Sequence, residues 1–347
     1  MGFAPNSLSN PNLTWEKTAQ YNGGIDFGFF RGRISGSIDL YLQQTSALLM
    51  TRSLPSVSGF TSIVQNVGAT KNQGLEISLS TVNITSGKIN WTTDLTFSTN
   101  KEEVSQLATG LPQDLVNNWF VGYPVDTYYG YLAYPRVWGC SKADMDEMAK
   151  FNANGTNFKP GEIRLEDLNN DYKITDADRK IIGSRMPKWS ASLANTFKYG
   201  PFDLYLFLYG SFGQMIYWNP GVSIIGRYNS IKNDYWTPEH QDTKWLKPQL
   251  DIQMPANVDA MYYWDGDFLK ISDITLGYTL PANLIEKVSI KSVRVYAKIQ
   301  DPYMWTNFEG IDPEGSIAQT RSGGTIGTYN DAPFTMRTYM FGINVTF

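Results

Sequence analysis

Period-two alternation of apolar and polar residues, sustained over segments of ten residues or more, constrains this chain most. From Ile34 to Gln43 one parity reads Ile34, Gly36, Ile38, Leu40, Leu42 and the other Ser35, Ser37, Asp39, Tyr41, Gln43. Phe202, Leu204, Leu206 and Leu208 alternate in the same way with Asp203, Tyr205, Tyr209 and Ser211. So do Val293, Val295, Ala297 and Ile299 with Arg294, Tyr296, Lys298 and Gln300, and the chain closes on Tyr339, Phe341, Ile343, Val345 and Phe347. Successive side chains of a strand point to opposite faces, so each segment is a strand with one apolar and one wet side. A helical stripe would repeat every three to four positions instead.

The pattern predicts nine strands, over residues 24–31, 33–51, 71–84, 88–102, 189–200, 202–216, 267–280, 292–306 and 335–347. Their connections alternate in length. Turns fall at Gly32, at Ser86-Gly87-Lys88, at Gly200-Pro201 and from Pro281 to Lys291, and between them lie long connections over 52–70, 103–188, 217–266 and 307–334. A β-sandwich shares the alternation but has no reason to place every long connection at one end of its sheet. A transmembrane barrel does, with short periplasmic turns and long extracellular loops. The expected fold is all-β: an antiparallel transmembrane β-barrel portion of about nine strands, with a few short helices in the loops. An odd count of nine does not close a barrel of the even-stranded bacterial kind.

Composition removes several function classes. A net charge of −4 with 18% charged residues gives no cationic field for nucleic acid. One cysteine, Cys140, and one histidine, His240, exclude a disulfide framework and any metal centre needing two imidazoles. The chain carries no G-x-S-x-G nucleophile elbow, and Asp265-Gly266-Asp267 before a strand reads as a turn. No paired acid and base marks a glycan-cleaving enzyme, and the expectation is a protein that is not an enzyme.

Two features of the long connections invite binding. Asp167, Asn169, Asp171 and Asp178 place oxygens at positions 1, 3, 5 and 12 of a calcium loop, with the Lys173 carbonyl at position 7. Tyr172 replaces the usual glycine and Asp178 the longer glutamate, and a turn capping a short helix at Thr175 or Asp176 explains the same residues. Ca²⁺ is the cofactor this spacing admits. The loops are also rich in aromatics. Trp119, Tyr128, Tyr129, Trp138 and Trp236 are candidates for contact with cargo or a lid, with loop packing as the alternative.

Six motifs in order resemble the last third of a SusC/RagA-family TonB-dependent outer-membrane transporter. They are Asn10-Pro11-Asn12-Leu13-Thr14-Trp15-Glu16-Lys17-Thr18 with Gly24-Ile25-Asp26-Phe27-Gly28-Phe29-Phe30, then Asn66 to Glu76, Tyr235-Trp236-Thr237-Pro238-Glu239, Phe268 to Tyr278, Gly310-Ile311-Asp312-Pro313-Glu314, and the terminal aromatic strand. The parity switch at Ser272-Asp273 predicts a β-bulge, and Gly68 and Gly74 are expected to bracket a loop end.

The resemblance implies that residues 1–347 form the C-terminal part of a barrel of about 22 strands, whose plug and N-terminal strands lie outside this sequence. It implies import of an oligosaccharide or peptide across the outer membrane of a Gram-negative cell, energised by TonB, with a SusD-like surface lipoprotein as partner and a periplasmic C-terminus. Outer-membrane lipid would surround the wall. Tyr339, Phe341 and Phe347 resemble the signal read by the outer-membrane insertion machinery.

Overall fold

The computed structural model describes residues 8–54, 56–60, 62–107, 110–115, 117–219, 234–249, 256–285, 290–310, 312–314, 321–322, 325–326 and 335–347. Nine long strands form one antiparallel sheet in chain order: β1 (Lys17–Phe29), β2 (Ile34–Ser53), β3 (Ser62–Ser86), β4 (Ile89–Gln106), β5 (Trp189–Tyr199), β6 (Phe202–Phe212), β7 (Phe268–Thr279), β8 (Ser292–Thr306) and β9 (Thr338–Thr346). Each pairs only with its sequence neighbours, and β1 and β9 have one partner each, so the sheet is an open length of wall. No second sheet covers either face among the described residues. A sandwich interior is absent and the barrel reading holds.

Register carries the two faces unbroken across the wall. Ile25 sits beside Ile38, Ile38 beside Ile77 and Ile77 beside Phe97. A second row passes from Leu95 through Leu193 and Leu208 to Ile271, and a third from Leu204 through Leu276 and Ala297 to Phe341. These residues face outward with nothing over them: Ile25 is 69% exposed and Phe341 83%. Burial in water would be reversed, with apolar residues covered; an uncovered apolar band belongs in lipid.

Its height fits a bilayer. On β5, Trp189 stacks on Phe212 at 4.1 Å at one end, and Tyr199 pairs with Phe202 at the other. Ten strand steps at about 3.3 Å each, tilted about 40°, span about 25 Å, the height of a transmembrane β-barrel's apolar band between its aromatic girdles. Two amides, Asn83 and Asn195, join a small hydrogen-bonded group on the apolar face through Thr93. Asn195 accepts from Trp91 Nε1 at 3.0 Å and Thr93 Oγ1 at 2.7 Å, so its oxygen is satisfied without water.

The opposite face is mostly polar, with Phe207, Ala194 and Met340 among its apolar members. Hydroxyls pair across β2 to β5: Ser37 with Ser78 at 2.9 Å, Thr96 with Ser192 at 2.6 Å, Ser98 with Ser190 at 2.8 Å. Across β6 to β8 the pairs become ionic, with Arg294 donating to both oxygens of Asp203 at 2.9 and 2.5 Å and Lys298 bonded to Asp273. Two tyrosines lie flat over cross-strand glycines on this face. A Cβ on Gly74 would meet the Tyr41 ring at 2.4 Å, and one on Gly342 the Tyr296 ring at 2.4 Å. Only glycine admits such rings, which cover the backbone that glycine leaves bare.

The expected bulge is present: register shifts between Ile271 and Asp273, opposite Asp301, whose φ is +46°. Other boundaries differ from expectation. β1 begins at Lys17 rather than residue 24 and β3 at Ser62 rather than 71, so Gly68 and Gly74 lie within β3 instead of at a loop end. These extensions rise beyond the apolar band, where both faces are wet and alternation is no longer required. The connection expected over 52–70 shrinks to 54–61. The remaining long connections, 107–188, 213–267 and 307–337, all leave the same end of the wall.

Candidate functional site

That end of the wall carries the molecule's true hydrophobic core. Backbone hydrogen bonds along 133–138 fold loop 107–188 on itself and, at Ala133 and Val137, tie it to loop 213–267. Tyr134 N–H donates to Arg164 O at 2.8 Å, Trp138 N–H to Glu162 O at 3.0 Å, and Val137 N–H to Thr243 O at 3.1 Å. Val137, Ile163, Leu165, Trp236, Leu246 and Tyr262, drawn from both loops, pack into one buried cluster. Close packing at interior density makes such a layer rigid.

The helix α1 (Lys142–Ala153) illustrates how the layer is fixed. Ser141 caps it, its Oγ accepting from Asp144 N–H at 3.1 Å. Asp144, buried, then receives Arg136 at 2.9 and 2.8 Å and Arg164 at 3.3 Å. Hydrogen bonding from Arg136 holds the Asp144 carboxyl below the usual carboxylate range. Arg164 in turn donates to Glu147 at 2.6 Å, with its guanidinium 4.6 Å from the Trp138 ring centre and 4.5 Å from that of Tyr134. Sequence reasoning passed over this network. Ser141 followed at three residues by Asp144 was a legible capping signal, but the two arginines come from outside the helix.

The aromatic candidates divide by burial. Trp138 is 1% exposed, Tyr128 5% and Trp236 7%, so their faces are spent on neighbouring loops. Trp138 meets Phe151 and Phe158 with ring centres 5.9 Å away in each case. Tyr129 stacks obliquely on Phe120 at 4.8 Å, and Trp119 is half-buried on the short ribbon 113–114/119–120. Loop packing accounts for these rings. Exposed faces belong instead to Tyr123, Tyr134 and Tyr235, which composition alone did not distinguish. Tyr128, Tyr217, Tyr262 and Tyr263 form a phenol cluster; burial pushes Tyr128 and Tyr217 up to about 12, so both stay neutral.

The calcium-spaced residues form a tight loop closed by its own backbone. Asp167 accepts from Tyr172 N–H at 2.9 Å, Asn169 from Asp171 N–H at 3.1 Å and Asp171 from Lys173 N–H at 2.8 Å. Asn170 and Tyr172 take left-handed backbone, at φ +58° and +59°. Asp178 accepts from both Leu168 and Thr175 N–H, and Thr175 caps the short 3₁₀ turn Asp176–Asp178. Among the described residues no three His, Cys, Asp or Glu side chains gather as metal ligands. His240 lies exposed, 2.9 Å from Asp234. Tyr339, Phe341 and Phe347 share the apolar outer face of the last strand and its end.

The third connection is tied to the wall through the Gly310 to Glu314 motif. Lys270, on the polar face of β7, pairs with Glu314 at 2.5 Å and Asp301 at 3.4 Å. Asp312 is buried beside it, accepting from Glu314 N–H at 2.9 Å and from Thr335 Oγ1.

With this geometry in hand, known proteins give a consistent comparison. Residues 1–300 match the family model described as TonB dependent receptor-like, beta-barrel. TonB-dependent receptor P3 of Formosa agariphila is 30% identical over 364 residues, covering 100% of this chain and 36% of the relative. TonB-dependent receptor SusC of Bacteroides thetaiotaomicron is 27% identical, covering 97% and 32%. The chain therefore spans about a third of the length of these relatives. A solved structure of the RagAB peptide transporter superposes with a TM-score of 0.72 at 23% identity, over 100% of this chain and 37% of that one. The uncovered apolar band, the polar inner wall and the loop layer agree with the match: this chain belongs to the TonB-dependent receptor β-barrel family and resembles its SusC/RagA members.

Proposed function

We propose that this chain supplies the C-terminal wall and extracellular loop layer of an outer-membrane importer for an oligosaccharide or peptide. The carrying observation is the pairing of a dry outer face with a polar inner face that ends, on one side only, in a rigid folded layer. Such a wall encloses water and stands in lipid, and such a layer offers a fixed surface at the mouth. Family membership supports import as the purpose, and the relatives are receptors and transporters rather than enzymes.

In this reading TonB supplies energy through a plug carried elsewhere in the protein. A SusD-like lipoprotein closes over the loop layer, and the short-turn end, with Phe347, faces the periplasm. Tyr339, Phe341 and Phe347 mark the last strand for insertion. Replacing residues 141–160 by a short glycine-serine link should abolish cargo uptake or lid co-purification while the barrel still assembles. Removing Phe347 should do the reverse, lowering the amount inserted without altering uptake per inserted molecule. Normal uptake after the loop replacement contradicts the reading.

A further inference from the structure

A cavity of about 800 Å³ lies where the wall meets the loop layer, between the upper end of β4, residues 122–127, 181–188, 213–215 and 265–267. Its volume is that of a small-molecule site. The walls are aliphatic: Ile181, Ile182, Met186, Pro187 and Met215 line it, and Tyr123 is the one aromatic among the lining residues described. Sugar sites rely on flat rings for stacking, and here one exposed ring is a poor platform.

The polar groups lean one way. Glu102, Asp265 and Asp267 line the cavity against Lys101 and Lys188, and Lys101 is already paired with Glu103 at 2.9 Å. Among the described residues no cation stands within ion-pair distance of the three carboxylates. The site is also built rather than incidental. Gln214, fully buried, accepts from Ser211 Oγ at 2.6 Å and donates to Gly266 O at 2.6 Å. Asp267 accepts from Gly213 N–H at 2.5 Å, and Met215 lies against Gly183, where a Cβ would come within 2.4 Å of its sulfur. A pocket held open by satisfied hydrogen bonds needs little rearrangement to bind.

We infer that this cavity is a cargo subsite for an oligopeptide segment bearing a cationic group, with aliphatic contacts to its backbone and side chains and the carboxylates facing its charge. It deepens the import reading by choosing peptide over oligosaccharide, and it rests on that reading only for the origin of the ligand.

Equilibrium binding to the protein purified from outer membranes in detergent tests it without energised transport. Three pentapeptides with a central lysine, glutamate or leucine and a maltohexaose serve as probes. The lysine peptide should bind at least tenfold more tightly than the glutamate peptide. Glu102→Gln with Asp265→Asn should reduce lysine-peptide affinity about tenfold and leave the leucine peptide unchanged. Rising salt should weaken the lysine peptide alone in the unmodified protein, which keeps the test sound if the variant assembles poorly. Equal affinity for the two charged peptides, an unaltered double variant, or displacement of peptide by maltohexaose overturns the proposal. Peptide binding intact in a protein that imports nothing would instead count against the import reading.

Discussion

The wall and the loop layer obey opposite rules within one chain. In the wall, large apolar residues are exposed and hydrogen-bonded polar residues face inward; Leu276 is 52% exposed on the same chain in which Trp138 is 1%. In the loops the arrangement is that of a soluble protein, with Trp, Leu, Val and Tyr buried and charges outside, paired or hydrogen-bonded. The difference lies in the solvent. Lipid covers the wall's apolar face without any contact from the chain, so strands need only match their neighbours. Water covers the loops, which must build their own interior to offset the entropy of ordering long connections.

Each substitution should therefore act on one region and spare the other. Trp138→Ala should cost the loop layer about 3–5 kcal/mol through the cavity it leaves. Limited proteolysis should then cut within 107–188 while the barrel keeps its heat-resistant mobility on gels. Cutting spread equally into the strands would break the separation. Leu206→Arg should cost about 2–4 kcal/mol in lipid, because it places a charge on the bilayer face. Tyr205→Arg, one residue earlier on the polar face, should change folded yield little.

Asp144→Asn should cost about 2 kcal/mol within the loop layer, since it strips a half-buried Arg164 and its partner Arg136 of a shared carboxylate. The same carboxylate predicts a pH dependence. Its pKa is lowered in the folded state, so its contribution is present above the unfolded value near 4 and lost as pH falls through the folded one. Loop protection should decline in acid below about pH 4, and Asp144→Asn should flatten that decline. Thr175→Ala has the smallest effect, about 1 kcal/mol of local stability from the lost cap, read as faster amide exchange at Ala177 and Asp178.

The wall was largely legible in the sequence and the loop layer was not. Leu204 to Leu208, Ile34 to Leu42 and the bulge at Ser272 follow from local parity, which a strand between two neighbours in lipid must respect. The errors fell at Lys17 and Ser62, where strands run on into water and either face tolerates polar side chains. In the loops the decisive contacts join distant segments, such as Val137 to Thr243 and Arg164 to Asp144. Their partners have no periodic signature. An aromatic residue such as Trp236 stacks equally well on a ligand or on another loop, so its type did not reveal its place. Asp167, Asn169 and Asp171 have oxygens at calcium-loop spacing, and the same spacing lets them hydrogen-bond the backbone N–H groups of their own turn.

Which face of the wall meets lipid is the claim on which the rest depends. Nitroxide labels placed singly from residue 204 to 208 on β6, in a Cys140→Ser background in lipid vesicles, report it by their accessibility to oxygen and to a water-soluble nickel chelate. Labels at 204, 206 and 208 should be accessible to oxygen and shielded from nickel, and those at 205 and 207 the reverse. An inverted pattern, or no alternation at all, would contradict the account.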